Sequence, residues 1–279
     1  MSSSIIIFWV TVSGIDCCRA LTRYSELMSL WLLAFALQYD PNLSPKFAEA
    51  LRLVQAKKYS EAVGVLKPLT VERPAVGEYW SLLGVAYAAD GDLEMAIPNL
   101  KRACAAVPRP ARACFQYGRV LHLSNRFDEA LKAYDMTPKG AEDANLYSAK
   151  AQSYEALGNM KEADRAFRQA LSESALRPVI SAQVQLRYGV FLYRQGGMVA
   201  ALWQFEQTIR KQPLWGAAWR EKARALLQLD REREAAEALE QAIAHGERNR
   251  ENLLLLSRLY LRLGDATKAE EFKLDASRL

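Results

Sequence analysis

The chain has 279 residues, 51% hydrophobic and 25% charged, with a net charge of +5 and a pI near 9.0. That is the composition of an ordinary folded protein, and its modest basic excess can steer acidic partners without naming one. Four cysteines without a CxxC pair, and only two histidines, exclude a zinc site of ordinary spacing.

Residues 1–42 stand apart. Ile5 to Val10 is an apolar burst, and a second runs from Leu27 to Leu37, broken only by Ser29. Neither reaches the ~20 apolar residues that cross a bilayer as a helix. The second burst follows Arg19 and Arg23 and ends in Ala34-Phe35-Ala36, the A-x-A form of a cleavable signal. Its late position and the intervening Glu26 argue against that reading, and the alternative is a helix whose apolar face packs on the residues after 42. Export or membrane attachment through residues 1–42 is favoured over a cytoplasmic chain with a packed helix. The neighbouring Cys17 and Cys18 also fit lipid attachment, though weakly.

From residue 43 to residue 279 the chain repeats. Alanine, leucine, arginine and glutamate abound, glycine and proline punctuate, and no run alternates apolar and polar residues as a strand would. An alanine recurs at Ala62, Ala96, Ala130, Ala163, Ala201, Ala235 and Ala269, with gaps of 34, 34, 33, 38, 34 and 34. Twelve residues before each alanine stands a small residue: Ala50, Gly84, Gly118, Ala151, Gly189, Ala223 and Ser257. Four residues after it stands a large one, from Leu66, Leu100, Tyr134, Phe167 and Phe205 to Leu239. Small residues let two helices approach closely, and large ones fill the space beside them. Gly91-Asp92, Gly158-Asn159 and Gly264-Asp265 mark turns, because glycine tolerates positive φ. Pro74, Pro108 and Pro213 close units, because proline cannot continue a helix. Each unit is predicted to be a helical hairpin that buries its apolar stripe only when the next hairpin covers it.

The second unit reads Trp80, Leu83, Gly84, Tyr87, Ala96 and Pro108, and in this order and spacing it resembles the tetratricopeptide repeat family. The resemblance implies an all-α, right-handed α-solenoid of about seven repeats over residues 43–279. It has departures. Lys46 stands where the second unit has Trp80, and Lys273 stands where an aromatic is usual, with Phe272 one place early; polar outer faces of this kind suit capping repeats. Pro138 shortens the second helix of the third unit, and the 38-residue gap adds length around Ser172 to Pro178, read as tolerated loop variation.

The resemblance also places the first helix of each hairpin on a concave surface where partners lie. That assigns Arg112, Phe115, Arg119 and His122 to a groove, followed by Asn145, Ser148, Gln152 and Glu155, then Leu186, Arg187, Val190 and Tyr193. Arg220 and Arg224 follow, then Leu254, Arg258 and Leu261. The groove so assigned is basic with apolar and aromatic interruptions, and arginine forks suit carboxylates of an acidic peptide. Chaperone-binding members grip a terminal carboxylate with Lys and Asn four apart on a first helix. The corresponding pairs here, such as Phe115 with Arg119 and Ser148 with Gln152, are not of that kind.

No phosphate-binding loop, nucleophile elbow or HExxH motif occurs, so the reading is a non-catalytic scaffold that needs no cofactor, metal or small-molecule substrate. Binding to nucleic acid is the alternative and is disfavoured, because the chain lacks a dense Lys/Arg run and glutamate is interleaved along it. Cys104 and Cys114 flank the turn between units two and three. They form a disulfide in an exported protein or fill helix contacts as thiols, and the thiol reading is narrowly favoured. If residues 1–42 direct export, the resemblance extends to envelope proteins of this repeat class that serve assembly of larger complexes.

Overall fold

The computed structural model describes residues 44–279, so the readings made for residues 1–42, including Cys17 and Cys18, lie outside the described residues. The described residues form fourteen α-helices and no strand, joined as seven hairpins. In chain order these are α1 (Pro45–Gln55) with α2 (Tyr59–Glu72), α3 (Gly77–Asp90) with α4 (Leu93–Ala105), and α5 (Ala113–Leu123) with α6 (Phe127–Asp135). Then come α7 (Ala144–Ala156) with α8 (Met160–Glu173) and α9 (Pro178–Arg194) with α10 (Met198–Lys211). The last are α11 (Gly216–Gln228) with α12 (Glu232–Ala244) and α13 (Arg250–Arg262) with α14 (Ala266–Ser277). This is the fold of tetratricopeptide-repeat α-solenoids. The described residues divide into two compact units, 44–191 and 192–279, with the boundary in the last turn of α9.

The periodic residues sit where close packing needs them. All seven ruler alanines are buried, none more than 1% exposed. A Cβ added at Gly84 would lie 2.5 Å from Leu100 Cγ, and one at Gly118 would lie 2.4 Å from Tyr134 Cε1. Contacts shorter than 3 Å are steric overlaps, so the two helices of these hairpins meet at a distance that only glycine permits.

The turns share one backbone solution. Lys57, Gly91, Asn125, Gly158, Gly196, Asp230 and Gly264 all have positive φ, and each lies five residues before a ruler alanine. Glycine adopts this conformation without steric cost, whereas lysine and aspartate adopt it only because the hairpins on both sides impose it. Asp92 and Asp265 then cap the following helices through the backbone N–H groups of Met95 and Lys268, each at 3.0 Å.

Prolines end the second helices as the spacing predicts, and the structure adds a reason for two tryptophans. Trp80 Nε1 donates to the carbonyl of Pro74 at 2.8 Å, and Trp219 Nε1 to that of Pro213 at 2.7 Å. Each tryptophan therefore ties a first helix to the loop that precedes it. The helix before Pro138 ends at Asp135 after only nine residues, as the proline requires. The added length after residue 172 corrects the expectation of a loop. It forms an extra turn at the start of α9, which runs for 17 residues with Pro178 at its first position. In the last hairpin Phe272 stacks on Tyr260 with ring centroids 5.8 Å apart, so the displaced aromatic still fills its place.

In residues 44–191 each second helix packs on its own first helix; α2, α4 and α6 also pack on the first helix of the next hairpin, and Phe167 of α8 packs on Tyr188 and Phe191 of α9. First helices also touch one another in sequence, α1 with α3, α3 with α5, and α5 with α7. They therefore share one face within this unit. Between α4 and α5 the sulfurs of Cys104 and Cys114 lie 1.98 Å apart, at disulfide distance, with both residues 1% exposed. The geometry favours the bonded pair over the two thiols expected from sequence.

Candidate functional site

The face shared by α5 and α7, together with α9, carries most of the assigned side chains of residues 44–191. Arg112, Phe115, Arg119 and His122 recur at helical spacing and so line one side of α5. Phe115 is 5% exposed and packs on Tyr134, ring centroids 6.1 Å apart. Above its ring lie the guanidinium groups of Arg112 at 4.7 Å and Arg119 at 5.9 Å. Cations this close to an aromatic ring gain from its quadrupole while their stems cover apolar surface.

Arg112 reaches the next hairpin, where its Nη1 donates to Asp143 Oδ2 at 2.9 Å. Asp143 Oδ1 also accepts from the backbone N–H of Leu146 at 2.9 Å and thereby caps α7. One carboxylate thus starts a helix and clamps two hairpins together. Arg112 Nε is buried without a hydrogen-bond partner in the described structure.

His122 Nδ1 lies 2.8 Å from Ser153 Oγ, and its imidazole meets the edge of Phe127 at 5.1 Å. Burial, seconded by the Arg119 charge, lowers its pKa from the usual value. Ser153 also bonds the Tyr134 hydroxyl, whose pKa burial raises. Gln152 folds back on its own helix, Nε2 donating to the Ser148 carbonyl at 3.1 Å. Arg187, on α9, points toward α7 and donates from Nη1 to Ser148 Oγ at 3.3 Å. Burial, and then repulsion by Arg119, lowers its pKa to about 10. Leu186, assigned to the open face, is 1% exposed and belongs to the core instead.

The assigned residues of 192–279 form a separate arrangement. Arg220 bonds Glu221 at 3.1 Å and Glu247 at 2.6 Å, and Arg224 bonds the same Glu221 at 3.1 Å. Glu221 is only 6% exposed, so two guanidinium groups compensate one buried carboxylate. Arg224 also lies 5.3 Å from the centroid of Tyr193. Much of the expected basic character here is therefore consumed internally. Arg258 is exposed on α13, with Leu261 beside it 59% exposed.

Sequence reasoning missed Asp143, Ser153 and Glu221. Asp143 had a local signal, an aspartate three residues before Leu146 at a helix start. Glu221 had none, since a glutamate between Arg220 and Lys222 reads as solvated charge. Glu234, Glu237 and Glu240 line an open pocket of about 430 Å³ with Trp219 and Lys222. Among the described residues no group of three or more His, Cys, Asp or Glu is placed to hold a metal, and no helix is long and apolar enough to cross a membrane.

Comparison with known proteins agrees with the repeat geometry. Tetratricopeptide repeat family models match residues 47–108 and 220–276, residues 87–153, and residues 144–175. No curated protein matches the chain in sequence. Among solved structures the chain is similar to the Cut9–Hcn1 hetero-tetramer of APC/C, at 15% identity and a TM-score of 0.63, covering 90% of this chain. It spans 49%, about half, of that protein's chain. It is also similar to the C-terminal part of a repeat protein from Cytophaga hutchinsonii, at 17% identity and TM-score 0.63, covering 84% of this chain and 95% of that one. A repeat protein from Parabacteroides merdae matches at 15% identity and TM-score 0.61, covering 84% and 93%. At such identities the likeness concerns the fold alone. Proteins with this fold act in general as protein-interaction scaffolds. From its repeats and its hairpin geometry, the chain belongs to the tetratricopeptide repeat family.

Proposed function

We propose that the protein is a non-catalytic scaffold that holds a segment of another protein along the face formed by its first helices. The observation that supports this most is the side-by-side packing of α3, α5 and α7. Arg119, His122 and Gln152 are carried by α5 and α7, with the buried Phe115 supporting Arg119 from beneath. Arginine is among the residues that anchor protein interfaces. A partner with acidic residues fits the arginines best.

Residues 1–42 extend the proposal to an exported or membrane-attached protein that serves assembly of an envelope complex. N-terminal sequencing of the mature protein tests that part. A start at Leu37 supports it, and an intact Met1 counts against it.

The interaction itself is tested by tagging the full chain and recovering partners from its own cells. Arg119→Glu and Gln152→Glu alter the inner face, whereas Arg165→Glu alters the exposed side of α8. Loss of the same partner with the first two and retention with the third supports the proposal. Retention with the first two and loss with the third overturns it.

A further inference from the structure

Four segments connect successive hairpins in residues 44–191: 73–76, 106–112, 136–143 and 174–177. An antiparallel hairpin puts the start of its first helix and the end of its second at the same end, so these connections gather along one edge. Contacts run along that edge from hairpin to hairpin. The Ser44 N–H donates to the Tyr79 hydroxyl at 3.1 Å. Gly77 lies against Ala106 and Pro110, and Arg109 Nη1 donates to the Met136 carbonyl at 2.8 Å. Ala144, Ala170 and Ile180 pack together beside the last connection.

Each connection, or the helix turn next to it, exposes a large apolar side chain. Val71 is 79% exposed, Val107 89% and Leu176 97%, and Met136 and Val179 are exposed as well. At the opposite ends of these hairpins the exposed apolar residues are Met95, Leu123 and Met160, none above 46%. The edge residues stand one hairpin apart, with prolines and polar residues between them, so they do not merge into the close-packed patch of a protein interface. A bilayer accepts such side chains singly, at the boundary between headgroups and acyl chains. The exposed Arg109, Lys139 and Arg177 follow Val107, Met136 and Leu176 by one to three residues. Their stems suit the acyl boundary and their charges suit lipid phosphates. Glu72, Glu142 and Glu173 are exposed on the same edge, so apolar insertion rather than net charge carries the contact. Ser44, bonded to Tyr79, marks where residues 1–42 join this edge, and that segment holds the apolar bursts Ile5 to Val10 and Leu27 to Leu37. Beside it α1 exposes Lys46, Glu49 and Arg52, a charged face that offers those bursts no apolar seat.

We propose that this edge of residues 44–191 lies on a phospholipid bilayer, with Val71, Val107, Met136 and Leu176 inserted at the headgroup boundary. The solenoid itself thus meets the membrane, at the edge where its apolar N-terminal segment enters. The first-helix face stays open to a protein partner. This contact goes beyond the scaffold reading and does not rest on it.

The test places a photoreactive residue singly at Val71, Val107 or Leu176, and at Leu123 or Met160 on the opposite ends, in the full chain. Each variant, its fold checked by circular dichroism, is irradiated with vesicles of phosphatidylcholine and phosphatidylglycerol that contain a fluorescent phospholipid. The three edge positions are expected to take up the fluorescent lipid and the two opposite positions are not. Val107→Ser combined with Leu176→Ser removes much of the inserted apolar surface and should lower labelling from position 71 by about tenfold. Equal labelling at both ends of the hairpins overturns the edge assignment. So does vesicle binding without labelling from positions 71, 107 and 176, which would leave attachment to other residues. Failure of the full chain to sediment with the vesicles overturns it too. Recovery of the cellular partner by Arg119→Glu and Gln152→Glu is read separately, so the scaffold reading stands or falls on its own result.

Discussion

Gly118→Ala tests the close approach of α5 and α6. The added Cβ would lie 2.4 Å from Tyr134 Cε1 and 2.5 Å from Cδ1, with the Ala130 carbonyl oxygen at 3.0 Å. Carbon atoms prefer about 3.5–4.0 Å, so the tyrosine ring must move by roughly 1 Å. That ring is 1% exposed, lies against Phe115 and bonds Ser153 through its hydroxyl, so it has little room to yield. Overpacking of this kind costs about 1–3 kcal/mol. Alanine returns about 1 kcal/mol through its better helix propensity. A net loss of up to about 2 kcal/mol should remain. Urea unfolding followed by circular dichroism measures it, and amide exchange in α5 and α6 localises it, since repeat arrays can open regionally. In a Tyr134→Ala background, itself about 3–5 kcal/mol less stable, the same change should become neutral or slightly stabilising. An equal cost in both backgrounds would refute the steric argument.

Other consequences rest on particular residues. Lys57 has φ of 61°, and Lys57→Gly should stabilise the first hairpin by about 1 kcal/mol in thermal unfolding; a loss would mean that the turn is held by the lysine side chain. Asp143→Ala removes both the cap of α7 and the partner of Arg112, and should cost about 2–4 kcal/mol, with Asp143→Asn costing less because it can still cap. A comparable cost for both would show that the charge alone matters. His122, facing Arg119, Ser153 and Phe127, has a folded pKa below its unfolded value. Its contribution to stability is therefore complete above the unfolded pKa of about 6.5 and is lost as pH falls through the folded value. The urea midpoint should decline on acidification below that point, and His122→Asn should flatten the decline; an identical pH profile would contradict the assignment.

The repeat architecture was legible because steric demands at helix contacts admit few residues. An alanine at each ruler position leaves a mark at a fixed interval, and all seven alanines are buried as that mark implies. The turns were only partly legible. Three of the left-handed residues are Lys57, Asn125 and Asp230, which the surrounding hairpins force into a conformation that glycine would announce. The extra turn of α9 read as a loop because insertion length carries no conformational signal.

Candidate side chains were legible by position but not by pairing. Spacing put Arg112, Phe115, Arg119 and His122 on one side of a helix. It could not tell that Arg112 meets Asp143, or that Arg220 and Arg224 converge on Glu221, since these contacts depend on how long side chains bend between elements. Nor could it tell that Arg187 meets the hydroxyl of Ser148.

The claim that the first helices hold a protein segment is most directly tested by photo-crosslinking in the protein's own cells. A photoreactive residue would be placed at Gln152 on a first helix, and at Arg165 on a second helix of the same unit. The scaffold reading predicts that the first position crosslinks a protein partner and the second does not. Crosslinks to that partner from Arg165, with none from Gln152, would contradict it.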